Sequence, residues 1–357
     1  MGAQAALFSG ALVRPFVRPR TWTLLVRSSG TSGRWLHAPA AMDEQNDYGR
    51  SMQKKILVTG AAGYIGGRLA EDLRQSGPQV RCLVRDRERP EARRLLRQGC
   101  EIREGDVLDA DSLIGIGDDI DVAYYLIHSM GRGQTQSDFE MRERQGARHF
   151  AIAAKRDGIS RVVYLGGLGS NRQSRHLGSR HQTALTLRKF GPPLTYFRAG
   201  MVVGAGSESY RTLRYLVQRL PAMIAPGWLR NETQPIAIDD VIGFLIAAAH
   251  IHTRDPEIQI GGADTLSYGA MLDTMADTLG LRRRPRVPVP FVTPWLSSLW
   301  IGLVTPVDAD IARPLIEGLS APTVVTNPRP AKKFGVHPMG FDEALQRAVA
   351  QDPDLVG

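Results

Sequence analysis

The chain has 357 residues, 43% of them hydrophobic and 23% charged, which is enough for one large α/β domain or a domain with a lobe and its own sizeable core. The formal charge of +9 points less to nucleic acid than it first suggests. Arg14, Arg18, Arg20, Arg27 and Arg34 all precede the first acidic residue, Asp43, and later basic residues alternate with acids, as in RDRERPEARRLLR from Arg85. That is a solvated helix face with no recognition motif, so no nucleic-acid partner is expected. Cys82 and Cys100 stand in no metal-ligand spacing, and Cys82 falls inside an apolar strand pattern, as a small core residue would.

Residues 1–52 hold no persistent period and are broken by Pro15, Pro19 and Pro39. They are rich in Arg, Ala and Ser and free of acids until Asp43. Two readings stand: a disordered leader from a misassigned start, with Met42 or Met52 the real first residue, or a mitochondrial-type presequence. The first makes the protein cytoplasmic and the second mitochondrial. Either way the folded part is expected over residues 53–335, a dinucleotide-binding domain whose substrate lobe lies mainly in 200–335, with 336–357 a C-terminal tail that is briefly helical from Asp342 to Ala350.

The stretch Lys54 to Gly67, KKILVTGAAGYIGG, is the centre of the folded part. The apolar Ile56, Leu57 and Val58 predict a strand, and Ile65, Leu69 and Leu73 share one face of a following helix. Between them Gly60, Gly63 and Gly66 allow a tight turn, close approach of a pyrophosphate, and close packing of helix on strand. Tyr64 and Ile65 open the helix, whose N-terminus offers unpaired N–H groups to phosphates. The candidate cofactor-binding residues here are Gly60, Gly63, Tyr64, Ile65 and Gly66.

A second strand, Gln79 to Val84, ends at Arg85. A carboxylate at that place would bind a free ribose 2′-OH, whereas an arginine pairs with a 2′-phosphate. Arg85 therefore favours NADP(H), and Asp86 beside it leaves NAD(H) as the alternative. A basic helix, Glu91 to Gln98, and a short strand near Glu101 to Arg103 lead to Asp106 and Val107. Asp106 reads equally as an adenine-side group or a turn residue, and Val107 as a wall for the adenine. The fourth strand, Asp121 to Ile127, should bring Ile127 and His128 to the nicotinamide half. A long helix from Phe139 to Arg156 and a fifth strand, Arg161 to Leu165, complete an alternation that predicts an α/β, Rossmann-type doubly wound parallel sheet.

Further along, the sixth strand is Leu194 to Arg198, and a helix from Tyr210 to Arg219 carries Leu213, Leu216 and Val217 at helical spacing. Met223 to Trp228 reads as an apolar, loop-like pocket wall. Asp239 and Asp240 suit the first turn of a nearly all-apolar helix, Val241 to His250, without a catalytic role. Residues 287–306 are the most membrane-like, but Pro288, Pro290 and Pro294 leave too short a run to span a bilayer, which needs roughly 20 apolar residues. Trp295 and Trp300 suit a lid over an apolar site, with peripheral membrane contact as the rival.

Several stretches resemble the atypical short-chain dehydrogenase/reductases: TGAAGYIG at Thr59, CLVRD at Cys82, GDV at Gly105, YLGGLGS at Tyr164, SRHLGSR at Ser174, FRAGMVVGAGS at Phe197 and TQPIAIDDV at Thr233. Within them the sequence is similar to the bacterial NAD(P)H-binding, NmrA-like branch that includes the YbjT-like proteins, over roughly residues 54–335. The resemblance implies hydride transfer to or from a small, rather apolar substrate, with a catalytic Ser after strand five and a Tyr and Lys four apart on the next helix. This sequence departs at each place. Gly166 and Gly167 end strand five, Ser170 is displaced, and His176-Leu-Gly-Ser-Arg180 stands where Tyr-x-x-x-Lys would. Residues at that spacing share a helix face, so His176 as a proton donor and Arg180 as a ribose or phosphate anchor are the catalytic candidates, alongside the reading that the segment does no chemistry. Two alternatives to an enzyme remain: an NADPH-sensing regulatory protein without catalysis, and a membrane-peripheral assembly scaffold.

Overall fold

The computed structural model describes residues 54–128, 136–169, 175–220, 223–225, 227–288 and 321–355. The leader, Ser170, and the Trp295 and Trp300 stretch lie outside the described residues. Thirteen strands and nine helices appear among the described residues, with two short 3-10 turns.

Seven parallel strands form the main sheet, in the order β11-β6-β5-β4-β1-β2-β3. They are β1 Lys55–Thr59, β2 Gln79–Val84, β3 Glu101–Glu104, β4 Val122–Tyr125, β5 Arg161–Gly167, β6 Leu194–Ala199 and β11 Ile258–Ile260. The strand order reverses between the parallel neighbours β1 and β4, where Thr59 pairs with Tyr125. In such sheets ligands bind at that switch point, outside the carboxyl ends of the strands. The buried runs of β1 and β4 are unbroken rather than alternating, as befits strands covered on both faces.

One face carries α1 Tyr64–Gln75 and α6 Ile238–Ala248, with Leu69, Leu73, Phe244 and Leu245 in a core shared with Val58 and Tyr124. The other carries α3 Gln136–Arg156 and α4 Arg175–Phe190, with Phe150 and Leu187 against Leu57, Tyr125 and Tyr196. Two side chains tie α6 down across the sheet. Tyr124 donates from its hydroxyl to Leu245 O at 2.7 Å, and the buried Arg161 guanidinium donates to the carbonyls of Ala248 and Ile251 at 2.7 and 2.9 Å. These carbonyls at and beyond the helix end have no partner within the helix. The remaining sheet helix, α2 Pro90–Arg97, begins with proline and buries only Ala92 and Leu95, which matches its reading as a charged outer face.

The lobe is built on β7 Val202–Val203 paired with β10 Ile236–Ala237. Helices α5 Glu208–Arg219 and α7 Tyr268–Thr278 pack there with Tyr210, Val217, Met271 and Met275 inside. Met223 to Ala225, expected as loop, is a strand, β8, because Arg286–Pro288, β13, offers it a parallel partner. The pair β9 Glu232–Thr233 and β12 Leu266–Ser267 is antiparallel. The brief helix expected from Asp342 to Ala350 is present in the C-terminal stretch. Past the short α8 Arg329–Lys332, helix α9 Phe341–Ala350 buries Phe341, Ala344, Leu345 and Ala348 in the lobe core. Beyond α9, Asp352 accepts from Arg214 Nη1 at 2.6 Å and from the Tyr210 hydroxyl at 2.9 Å, all three buried. Tyr210 and Arg214, whose spacing imitates a catalytic pair, thus hold the C-terminal segment in place.

Among the described residues, no helix is long and apolar enough to cross a membrane.

Candidate functional site

The switch point is lined by the glycine turn. Gly60 adopts φ +70, and a Cβ there would sit 2.6 Å from Leu126 O and 3.0 Å from Ile127 N at the end of β4. A Cβ on Gly66 would come within 2.8 Å of the Gly60 carbonyl carbon. Gly63 N donates to Gly60 O at 2.9 Å and closes the turn. Gly63 also caps α1 without a side-chain hydrogen bond, and the first turn of α1 holds no acidic residue. The N–H groups of Tyr64, Ile65 and Gly66 therefore have no carbonyl one turn back. A cradle that side chains would fill, facing a helix end that carries partial positive charge, fits a dinucleotide pyrophosphate.

Tyr64 has a second role. Its ring lies against the loop after β7, where a Cβ on Gly206 would be 2.5 Å from Tyr64 Cε2, and its hydroxyl is hydrogen-bonded by the Gly206 backbone. Burial raises the Tyr64 hydroxyl above its ordinary pKa, with that amide working in the opposite direction. The residue thus joins the glycine turn to the lobe.

Arg85 is the first residue beyond β2 and is exposed, with no hydrogen bond or ion pair of its side chain among the described residues. Asp86 differs. Its Oδ1 accepts from Glu88 N at 2.8 Å, and Arg89 Nε lies 3.9 Å from its Oδ2. Asp106 is a turn residue by geometry, with Oδ1 accepting from Leu108 N at 2.9 Å and its own N–H donating to Ser112 Oγ at 2.9 Å. Val107 is buried under α3, where a Cβ on Gly146 would be 2.8 Å from Val107 Cγ2.

At the other half of the site, Ile127 is partly buried against the sheet core. His128 follows it with a 17% exposed side chain, and its Nδ1 stands 2.8 Å from Glu143 Oε1 on α3. The other oxygen of Glu143 accepts a short hydrogen bond from the buried Ser179 hydroxyl on α4. Burial first, and the Arg180 guanidinium second, hold the His128 imidazole well below its ordinary pKa. A neutral ring facing a carboxylate at this distance carries its proton on Nδ1.

Arg180 passes under the end of β5, its Cδ 3.9 Å from a Cβ built on Gly167, and its backbone carbonyl accepts from the Tyr164 hydroxyl at 3.2 Å. Its Nε is buried without a hydrogen-bond partner among the described residues. The structure thus brings Arg180 to His128, while His176 lies in the first turn of α4 with its side chain outside the described residues. The place of the expected serine is filled from two sides. A Cβ on Gly166 would meet Tyr196 Cε2 at 2.8 Å, and one on Gly167 would meet Leu177 Cδ2 at 2.5 Å.

Glu143 and Ser179 were not among the residues singled out from the sequence. A signal existed for the first: Glu143 falls on the same helical stripe as Ala147, Phe150 and Ala154, all fully buried. A carboxylate on such a stripe requires a partner. Nothing comparable marks Ser179, because a small hydroxyl suits a buried helix face without special cause.

Residues 52–225 match the model of the NmrA-like family. Over that stretch the chain is similar to the NmrA-like family. Among curated proteins, it is 28% identical over 240 residues to the uncharacterized protein y4nL of Sinorhizobium fredii, a match covering 61% of this chain and 63% of that protein. It is 30% identical over 117 residues to a 3 beta-hydroxysteroid dehydrogenase/Delta 5-->4-isomerase of Mycobacterium tuberculosis, covering 31% of this chain and 30% of that one. The chain therefore spans less than two thirds of either relative. Among solved structures, the UDP-glucose 4-epimerase of Thermotoga maritima with UDP-glucose superposes with a TM-score of 0.64 at 15% identity, over 83% of this chain and 97% of that one. WbmG of Bordetella bronchiseptica in complex with NAD gives 0.64 at 16% identity, over 84% and 93%. At these identities the likeness establishes the Rossmann-type fold.

Proposed function

We propose that this NmrA-like chain binds NADP(H) across the glycine turn and transfers hydride between it and a small, rather apolar organic substrate. The contrast between Arg85 and Asp86 carries the choice of cofactor. The carboxylate is engaged in its own turn, whereas the guanidinium is exposed and uncommitted where a 2′-phosphate would lie. The nicotinamide would supply the redox chemistry. The chain's contribution is to hold the pyrophosphate on the α1 N-terminus, to pair Arg85 with the 2′-phosphate, and to anchor a ribose or phosphate oxygen with Arg180. Its orphaned buried Nε is suited to such an acceptor. His176, one turn before Arg180 on α4, is the proton-donor candidate that the sequence offers. The partial likeness to a 3 beta-hydroxysteroid dehydrogenase supports an apolar hydroxy or oxo compound as substrate.

A second reading draws on the Tyr196 ring over Gly166, which leaves no room for a serine. It is a protein that binds NADPH as a signal and transfers no hydride. A fluorescence titration with NADPH and NADH, on protein starting at Met52 and on its Arg85→Ala variant, tests the cofactor. Tighter binding of NADPH, with the preference lost in the variant, supports the site; binding of neither nucleotide overturns both readings. Oxidation of NADPH in a metabolite extract then separates enzyme from sensor.

A further inference from the structure

The site lacks the tyrosine that usually handles the substrate proton, yet a buried chain of three polar side chains converges where that proton would have to move. Ser179 donates to one oxygen of Glu143, and the other oxygen stands 2.8 Å from His128 Nδ1. The groups come from three elements: His128 from the end of β4, Glu143 from α3 and Ser179 from α4. The carboxylate side chain is only 8% exposed and the imidazole 17%. A carboxylate held between two donors cannot rotate away, so it fixes both the orientation of the imidazole and the nitrogen that carries its proton. The backbone locates the ring as well. Leu126 and Ile127 abut Gly60, which places His128 immediately past the glycine turn, on the carboxyl side of the switch point.

We propose that His128, oriented by Glu143 and Ser179, is the general base of this site and receives the hydroxyl proton of the substrate. The inference rests on the hydride-transfer reading above. The hydroxyl proton goes to Nε2, the nitrogen turned away from Glu143, while the carbinol carbon gives up its hydride to the oxidised dinucleotide. A carbonyl, a reduced dinucleotide and an imidazolium result, and the imidazolium later releases its proton to water. Glu143 is a positioning residue that stabilises the imidazolium as it forms, in the manner of the carboxylate of a Ser-His-Asp triad. Among the described residues, the charged and titratable groups around the ring include Glu143 on α3, Arg180 on α4, and the buried Tyr125 and Tyr164 of the sheet, which feel the Glu143 charge. Burial and Arg180 favour the neutral ring, which is the form able to accept a proton.

The test is nitrogen NMR on the whole protein labelled in the rings of its 8 histidines, with His128 assigned by the signals missing in His128→Asn. His128 should carry its proton on Nδ1 near neutral pH, and Glu143→Gln should shift that population toward the other tautomer, with Glu143→Asp partly restoring it. A ring found with its proton on Nε2, or one indifferent to Glu143→Gln, overturns the proposal. Should Glu143→Gln fail to fold, the wild-type tautomer and the ligand titration decide. In that titration NADP+ should move the His128 ring signals, and adenosine 2′,5′-diphosphate, which lacks the nicotinamide half, should leave them in place. If NADP+ binds and His128 does not respond, the proposal alone fails. If neither ligand binds, the cofactor reading fails and the general base falls with it.

Discussion

The Tyr196 ring occupies the space that a side chain on Gly166 would need. A Cβ there would lie 2.8 Å from Tyr196 Cε2 and 3.0 Å from its hydroxyl oxygen. Tyr196 stacks on Tyr164 at 5.5 Å between ring centroids and is buried, so it has nowhere to move. Burial also pushes its hydroxyl up to about 12, with Arg198 and Arg180 opposing.

Gly166→Ser, which restores a serine at the end of β5, should therefore destabilise the fold by about 1–3 kcal/mol through overpacking and create no activity. Urea denaturation measures the loss, and adding Tyr196→Ala should recover part of it by emptying the space. A stable Gly166→Ser protein would mean that the ring is not confined as the stacking indicates.

Gly66→Ala should be more damaging to ligand binding than its size suggests. The new methyl would press on the Gly60 carbonyl, which is backbone and cannot swing aside. Loss of nucleotide binding together with a stability loss of about 3 kcal/mol is expected, read by fluorescence titration and by denaturation. Gly243→Ala serves as the control, since a Cβ there meets only Val336 at an ordinary 3.6 Å.

Acid should weaken the fold before the carboxylates titrate. The buried His128 has a lowered pKa, so below about pH 6.5 the unfolded chain takes up a proton that the folded chain refuses. Stability is then complete above the ordinary histidine range and falls as pH drops through it. His181, lowered by burial and by Arg198, adds in the same direction. The urea midpoint should decline between about pH 7 and 5, and His128→Asn should flatten that slope. An equal slope in the variant would place the acid sensitivity elsewhere.

Arg214→Ala should cost roughly 3–5 kcal/mol, because it leaves Asp352 buried without its partner. Both side chains of that pair are at most 3% exposed. Replacing both residues by leucine should cost much less, since no charge then remains buried. Thermal unfolding of the two variants distinguishes these outcomes. Similar losses in both would show that packing, not the unpaired charge, sets the cost.

What the sequence determined by itself was local. The glycines before an amphipathic pattern required a strand, turn and helix, because only glycine accepts φ +70 at residue 60 and tolerates backbone contact at residue 66. The alternation of apolar runs with helical stripes required a parallel sheet covered on both faces. Arg85 was legible because a strand end fixes where the next side chain stands. The tertiary structure decided whatever depends on elements distant in the chain. Helix α9 looked like part of a tail, since a short helix shows nothing of the lobe core that buries Phe341 and Leu345. Met223–Ala225 looked like loop until Arg286–Pro288 supplied its partner. Glu143 and Ser179 meet His128 only because α3 and α4 pack together on the same face of the sheet. Periodicity tells which face of a helix is buried, and only packing tells what that face meets.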